Sequence, residues 1–219
     1  MRLNLAVYAI ADPTRTRGRA LVPLVKEAVA GGATLVQVRD KASDTRDFIA
    51  RARALVAALR HSDVPLLVND RVDVALAAEA DGVHLGQSDM RAEDARRLLG
   101  PRAIIGLTVR TAEEARTTPL GAVDYVAIGG VFGTASKVNE TAPVGLGGFA
   151  RLAGIVRARK PGLPICAIAG ITARNAADVV AVGADGVAVI SDIFMADEPD
   201  AAARALALAV AAGLERRAA

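Results

Sequence analysis

The chain has 219 residues, 53% of them apolar, which is enough for one well-buried core and too little for two sizeable domains. Only four Phe, two Tyr and no Trp are present, so Ala, Val, Leu and Ile must fill the interior, as in layered helix-on-sheet folds; a sandwich and a nucleic-acid groove with stacking aromatics both lose ground. The net charge of +3 and pI near 9.4 come from arginines spread along the chain, such as those in 51–60 and 151–160, which read as solvated helix faces and fit small anionic ligands better than a polyanion.

Apolar runs predict β-strands near 3–10, 33–38, 64–69, 82–85, 103–108, 123–128, 163–168 and 185–190. Apolar residues spaced by three and four predict helices near 18–30, 44–60, 71–79, 90–99, 111–117, 146–160, 172–182 and 200–214. Ser43 or Asp44, Ser88 or Asp89, and Thr172 are candidate N-caps, and Gly31 with Gly32, Gly100, Gly121 and Gly183 stand where helices should stop. Glycine-alanine pairs recur just before strands at 32–33, 121–122 and 183–184, at unequal intervals, so they mark a repeated helix-to-strand joint and not a solenoid. No linker or low-complexity tract interrupts the alternation. Strand-helix units in series predict a closed parallel barrel or an open doubly wound sheet. No G-x-G-x-x-G follows the first strand, where the chain reads ADPTRTRG, so a single (β/α)8 TIM barrel over residues 1–219 is expected.

Such a barrel places its site beyond the carboxyl ends of its strands. The second strand ends in QVRDK, where alternation turns Gln37, Arg39 and Lys41 to one side, an array suited to a diphosphate. The third strand runs into Asn69-Asp70 and the fourth into GQSD with Asp89. Neighbouring strands lie about 4.8 Å apart, so both acids can face one cation; Mg²⁺, bound by a few carboxylates while bridging phosphate oxygens, suits them, and helix capping is the alternative reading. The long stretch GGVFGTASKVNETAP after the sixth strand offers Thr134, Ser136 and Lys137. The last two strand ends, AIAGIT and VISDIF, place Gly170, Ile190 and Ser191 where this barrel class holds a monophosphate; a tight glycine turn is the plain structural alternative.

His84 alternates with Val83 and Leu85 and reads as a hydrogen-bonded interior group, while His61 sits at a polar helix end. With Cys166 the single cysteine, an intramolecular disulfide, a zinc site and a Cys-His nucleophile pair have no support, and Cys166 reads as core packing. The N-terminal apolar stretch is too short to span a membrane and has no small-residue cleavage pattern, so a soluble cytoplasmic protein is expected, with neither membrane nor nucleic acid as partner.

On these positions the sequence resembles the thiamine phosphate synthase family over nearly its whole length. The likeness rests on YAIAD at 8–12, QVRDK at 37–41, ND at 69–70, DGVHLGQSD at 81–89, GLT at 106–108, YVAIGGVFGTASK at 125–137, AIAGIT at 167–172 and GADGVAVIS at 183–191. Any one of these is modestly specific; their order at successive strand ends is highly so. The resemblance implies a Mg²⁺-dependent transferase that joins an aminopyrimidine methyl diphosphate to a thiazole ethyl phosphate. It implies that Gln37, Arg39 and Lys41, with Asn69, Thr108 and Lys137, hold the pyrimidine diphosphate, Val38 and Asp40 being counted in the same stretch. Arg39, Lys41, Lys137 and Thr108 would be the catalytic groups and Asp70 and Asp89 the metal ligands. Thr134, Ala135, Ser136, Gly170, Ile190 and Ser191 would form the thiazole phosphate site. Gly130, Ser136, Ala169 and Arg110 depart from the usual family residues (proline, threonine, glycine, and a smaller or neutral ring-bearing residue), which bears on the geometry of the loops carrying them. A thiazole tautomerase-like paralogue, a non-catalytic phosphate-ligand sensor and a Schiff-base barrel enzyme are the competing readings; a homo-oligomer is left open.

Overall fold

The computed structural model describes residues 3–134 and 142–219. Within them, parallel strands close a barrel in sequence order, β1 to β8: Val7–Ala11, Leu35–Val38, Leu66–Asn69, Gly82–Leu85, Ile104–Val109, Tyr125–Ile128, Ile165–Ile168 and Gly186–Val189. The ring is completed by pairing β1 with β8, Val7 opposite Val187. Helices α1 (Leu21–Ala30), α2 (Thr45–Leu59), α3 (Val72–Ala78), α4 (Ala92–Leu99), α5 (Ala112–Thr117), α6 (Gly145–Arg159) and α7 (Ala176–Ala181) follow the first seven strands. A four-residue α8 (Ser191–Phe194) and the long α9 (Pro199–Ala218) follow β8.

Strand alternation divides the core in two. Residues such as Val36, Val38, Val68, Val83, Ile105 and Val126 face outward and pack under the helices with Leu24, Phe48, Leu55 and Phe149. Tyr8, Ile10, Leu35, Leu67, Tyr125, Ala127, Cys166 and Ala188 face inward and fill the barrel, so it is a packed core and not a pore. Cys166 is fully buried there, and desolvation pushes its thiol pKa up, which keeps it an inert packing group.

The repeated helix-to-strand joint has a specific function at the amino-terminal end of the barrel. Each even-numbered strand is preceded by a polar residue that clasps the strand before it. Thr34 Oγ1 accepts from Val7 N (3.1 Å), Asp81 Oδ2 from Leu66 N (2.8 Å), Asp124 Oδ2 from Ile105 N (2.8 Å) and Asp185 Oδ2 from Ile165 N (2.9 Å). The backbone N–H of the same four residues donates back to the carbonyls of Val7, Leu66, Ile105 and Ile165. Backbone N–H groups at the start of β1, β3, β5 and β7 are thereby satisfied.

Several boundaries depart from the periodic reading, each for a local reason. The first strand begins only at Val7, after the Asn4 side chain has accepted from Ala6 N (3.0 Å). Helix α1 begins at Leu21 because Arg17 and Gly18 take positive φ and Arg19 reaches back to the carbonyls of Phe194 (2.9 Å) and Ala196 (2.7 Å). Of the candidate caps, Asp44 caps α2 through Asp47 N (2.9 Å). Ser88, Asp89 and Thr172 do not cap: α4 starts at Ala92 after Arg91, and α7 at Ala176 after Asn175. Gly121 is likewise not a helix stop, since α5 ends at Thr117. Among the described residues no helix is long and apolar enough to cross a membrane.

Candidate active site

The strand ends open into two adjoining cavities at the carboxyl-terminal mouth. The larger, about 430 Å³, runs from Gln37 and Arg39 across Thr108 to Thr134, Gly170 and Ser191. The smaller, about 270 Å³, holds Lys41, Asp70, Gln87 and Asp89. Arg39, Asn69, His84, Thr108 and Arg110 line both, forming a shared waist.

At the second strand end, Arg39 N still pairs with Ala11 O (2.9 Å), so the extended alternation persists past β2. Gln37 and Arg39 accordingly enter the larger cavity and Lys41 the smaller. Arg39 is aimed by Asp12, whose Oδ2 lies 2.5 Å from its Nη1 and whose Oδ1 accepts from both Thr14 N (2.9 Å) and Thr14 Oγ1 (2.6 Å). Asp12 escaped the sequence reading of roles, although the parity of YAIAD (Tyr8, Ile10, Asp12) points it inward. Val38 and Asp40 go the other way. Val38 packs in the strand-helix layer; buried Asp40 accepts from Ala42 N (3.1 Å) and Ser43 N (3.0 Å) and pairs with Arg51, so it shapes the turn that presents Lys41. Neither side chain lines the mouth.

Asp70 adopts a left-handed backbone (φ 62°), held by its N–H donating to His84 O (2.8 Å), and its carboxylate pairs with Lys41. Asp89 Oδ2 accepts from Gly86 N (2.7 Å), which folds the post-β4 loop over the smaller cavity. Burial, then the adjacent Asp70 carboxyl, raise the pKa of Asp89 above the ordinary carboxylate value, against the opposing pull of Gly86 N–H and Lys41. Two oxygen-donor acids held side by side in this way match the needs of a hard dication that takes its other ligands from water and phosphate. No cluster of three or more His, Cys, Asp or Glu occurs among the described residues.

Below the waist a chain of hydrogen bonds crosses the barrel interior. Gln37 Nε2 donates to Tyr8 Oη; Tyr8 and Tyr125 hydroxyls lie 2.9 Å apart; Tyr125 Oη is 2.8 Å from His84 Nδ1, and His84 Nε2 is 2.8 Å from Thr108 Oγ1. A neutral imidazole has one donor and one acceptor nitrogen. With Gln37 donating, each hydroxyl hydrogen finds an acceptor when Tyr8 donates to Tyr125, Tyr125 to Nδ1, and Nε2–H to Thr108, whose own hydrogen then points outward as a donor. Gly106 makes room for this chain: a Cβ there would lie 2.0 Å from Tyr125 Cζ. His84 is thus an interior hydrogen-bonded group, as its alternation implied, and also a wall of both cavities.

The far end of the larger cavity is built from backbone. Val131 N and Phe132 N donate to Ile168 O (3.2 Å) and Ala169 O (3.0 Å), zipping the post-β6 segment onto the post-β7 turn. Gly170 (φ 65°) sits where this approach is closest; a Cβ would meet Gly133 O at 2.4 Å. Asn175 Nδ2 holds Gly170 O (3.0 Å), and Asp192 Oδ2 takes Ala173 N (3.0 Å). Ala169, at the position where a second glycine is usual, has φ 87°, a costly conformation for an L-residue. Ile190 and Ser191 open α8 beside this turn, and Thr134 closes the described part of the post-β6 segment. Ala135, Ser136 and Lys137 lie outside the described residues.

A parallel (β/α)8 barrel whose mouth carries a cation-and-carboxylate pocket beside a glycine-rich backbone pocket belongs to the phosphate-handling barrel enzymes. The profile of the family described as thiamine monophosphate synthase matches residues 7–193. A thiamine-phosphate synthase of Roseiflexus sp. (strain RS-1) is 46% identical over 212 residues, covering 97% of this chain and 88% of that protein. One from Agrobacterium fabrum is 45% identical over 216 residues, covering 99% and 98%. Among solved structures, thiamine phosphate pyrophosphorylase from Pyrococcus furiosus superposes with a TM-score of 0.83 at 37% identity, covering 97% of this chain and 98% of that one. The chain belongs to the thiamine monophosphate synthase family.

Proposed function

We propose that this transferase joins an aminopyrimidine methyl diphosphate to a thiazole ethyl phosphate, forming thiamine phosphate and releasing diphosphate. The observation that carries the reading is the shared waist: two cavities with different anion chemistry meet at Arg39, Asn69, His84, Thr108 and Arg110, so two phosphorylated substrates can react where they meet. The diphosphate belongs in the smaller cavity with Lys41, and the thiazole phosphate at Gly170, Ile190 and Ser191, with Thr134, Ala135 and Ser136 being assigned to the same site from the sequence alone. Lys137 joins the diphosphate side. Asp70 and Asp89 would hold Mg²⁺, which when bound supplies positive charge to the leaving diphosphate.

The protein's own work is positioning and charge. Asp12 holds Arg39 and Asp70 holds Lys41, so cationic donors are in place before the bond to the leaving group lengthens. The carbon–oxygen bond breaks with its electron pair going to diphosphate; the thiazole nitrogen lone pair forms the new bond to the pyrimidine methylene. The Gln37-to-Thr108 chain presents fixed donors and acceptors to the pyrimidine edge, and the backbone pocket anchors the thiazole in line. No protein nucleophile is required, in keeping with Lys41 being ion-paired and half-exposed, unlike the desolvated lysine of a Schiff-base enzyme.

The test is product formation from the two substrates with Mg²⁺, followed as thiamine phosphate and as released diphosphate in equal amounts. Thiazole phosphate binding with no diphosphate release, under conditions where the Agrobacterium fabrum relative turns over, would overturn the reading in favour of a binding or tautomerase-like barrel.

A further inference from the structure

Three described cations line the shared mouth, and two of them are committed. Arg39 is held by Asp12 and Lys41 by Asp70. Arg110, two residues beyond Thr108 at the end of β5, has no ion pair or hydrogen-bond partner for its guanidinium among the described residues. Glu114, which lines the same smaller cavity, is used elsewhere: its Oε2 accepts the backbone N–H of Arg110 (2.5 Å) and of Thr111 (3.3 Å) as part of the α5 capping box. That arrangement fixes the Arg110 backbone while leaving its guanidinium without an ion pair among the described residues. Gly129 makes space for the side chain: a Cβ there would stand 3.2 Å from Arg110 Nε and 3.3 Å from Cγ, so the stem lies along the end of β6.

A half-buried guanidinium with its donors unspent is a poor stability device and a good anion receptor, since its fork matches two oxygens of a phosphate. Its place decides which anion. Arg110 lines the smaller cavity together with Lys41, Asp70 and Asp89, and it also lines the larger one, whereas Gly170 and Ser191 line only the larger. It therefore stands on the seam between the two cavities.

We infer that Arg110 is a further diphosphate-holding residue, forking oxygens of the leaving group as it takes the electron pair from the pyrimidine methylene. It rests on the two-substrate reading above. Arg110 exchanges no proton; it offsets the added negative charge and contributes to retention of the diphosphate after bond cleavage.

Titration calorimetry of the full chain with inorganic diphosphate and Mg²⁺ reads this directly, without turnover. Arg110→Gln should weaken diphosphate about tenfold and Arg110→Lys by a smaller factor, because the lysine keeps charge and loses the fork. The KM for the thiazole phosphate and the melting temperature should stay near wild type. Diphosphate affinity unchanged within about twofold in Arg110→Gln overturns the inference, as does a loss confined to thiazole phosphate. The two-substrate reading fails separately: a wild type that forms no thiamine phosphate, whose diphosphate affinity nevertheless drops in Arg110→Gln, refutes that reading and supports Arg110 as a diphosphate receptor.

Discussion

The two ends of this barrel carry similar residues and use them differently. At the amino-terminal end, Asp81, Asp124 and Asp185 spend their oxygens on backbone N–H groups, and the last two add arginine partners, Arg96 to Asp124 (2.6 Å) and Arg157 (3.2 Å) and Arg217 (3.3 Å) to Asp185. At the mouth, Asp70 and Asp89 stand against each other with Lys41 alongside, and the Arg110 guanidinium has no ion-pair or hydrogen-bond partner among the described residues. Satisfied carboxylates close a sheet. Crowded ones create a demand for a cation, and an unpaired arginine a demand for an anion, so the unmet electrostatics collect at the end where substrates enter.

The sharpest way to break this contrast is to delete one acid from each end. Asp89→Ala should lower kcat/KM by roughly 10²–10³, equivalent to about 3–4 kcal/mol of lost charge stabilisation, with the circular dichroism spectrum unchanged. Asp185→Ala should do the reverse, costing about 1–3 kcal/mol in urea unfolding because Ile165 N and two arginines lose their acceptor, while the folded fraction keeps its kcat. Equal stability losses at both ends would erase the distinction. A pH series sharpens it further. The folded chain holds the Asp89 proton more tightly than the unfolded chain, so without metal this group's contribution to stability falls as pH rises through its raised pKa, and Asp89→Asn should flatten that part of the melting curve. In the same window, the Mg²⁺ concentration for half-maximal activity should rise as pH falls, because protons and metal compete for one carboxylate.

Between the two ends, Tyr125→Phe cuts the interior chain while keeping the ring that packs against Gly106. Loss of one buried hydroxyl should cost about 1–2 kcal/mol and raise the KM for the pyrimidine substrate more than that for the thiazole phosphate. A change in thiazole KM alone would detach the chain from the pyrimidine side. The smallest effect is expected at Ala169. Ala169→Gly relieves a positive-φ alanine worth about 1–2 kcal/mol but restores glycine's unfolded-state freedom, worth about 0.5–1 kcal/mol, leaving a net gain of up to about 1.5 kcal/mol by denaturant titration. A net loss would mean that the turn carries no strain.

The legibility of the site followed the range of the interactions involved. Gln37, Arg39 and Lys41 were readable because two-residue alternation continues past β2, and Asp70 and Asp89 because they sit at successive strand ends. The same alternation turns Val38 and Asp40 away from the mouth; they were counted with the site only through the resemblance, and their side chains face the helices and a loop turn. Ser88, Asp89 and Thr172 looked like caps because short polar residues before a helical pattern usually are; here the segments in which they lie are taken up by loop contacts, Asp89 with Gly86 and Thr172 with Asn175. Parity turned Asp12 inward and Arg110 stood out as a departure from the usual family residue, but neither signal gave a role, since each role is defined by what the side chain does or does not touch across strands.

The order of strands and helices, the parallel barrel, the inward and outward sets and the end of the barrel that holds polar groups are consequences of local period and punctuation, and the sequence by itself determined them. The tertiary structure alone decided which charges are satisfied. Pairing Asp12 with Arg39 over 27 residues, setting Asp70 beside Asp89, linking Tyr8 to Tyr125 over 117 residues and leaving Arg110 open all depend on barrel closure. Electrostatic demand is a property of distance and burial in three dimensions, and no one-dimensional pattern records it.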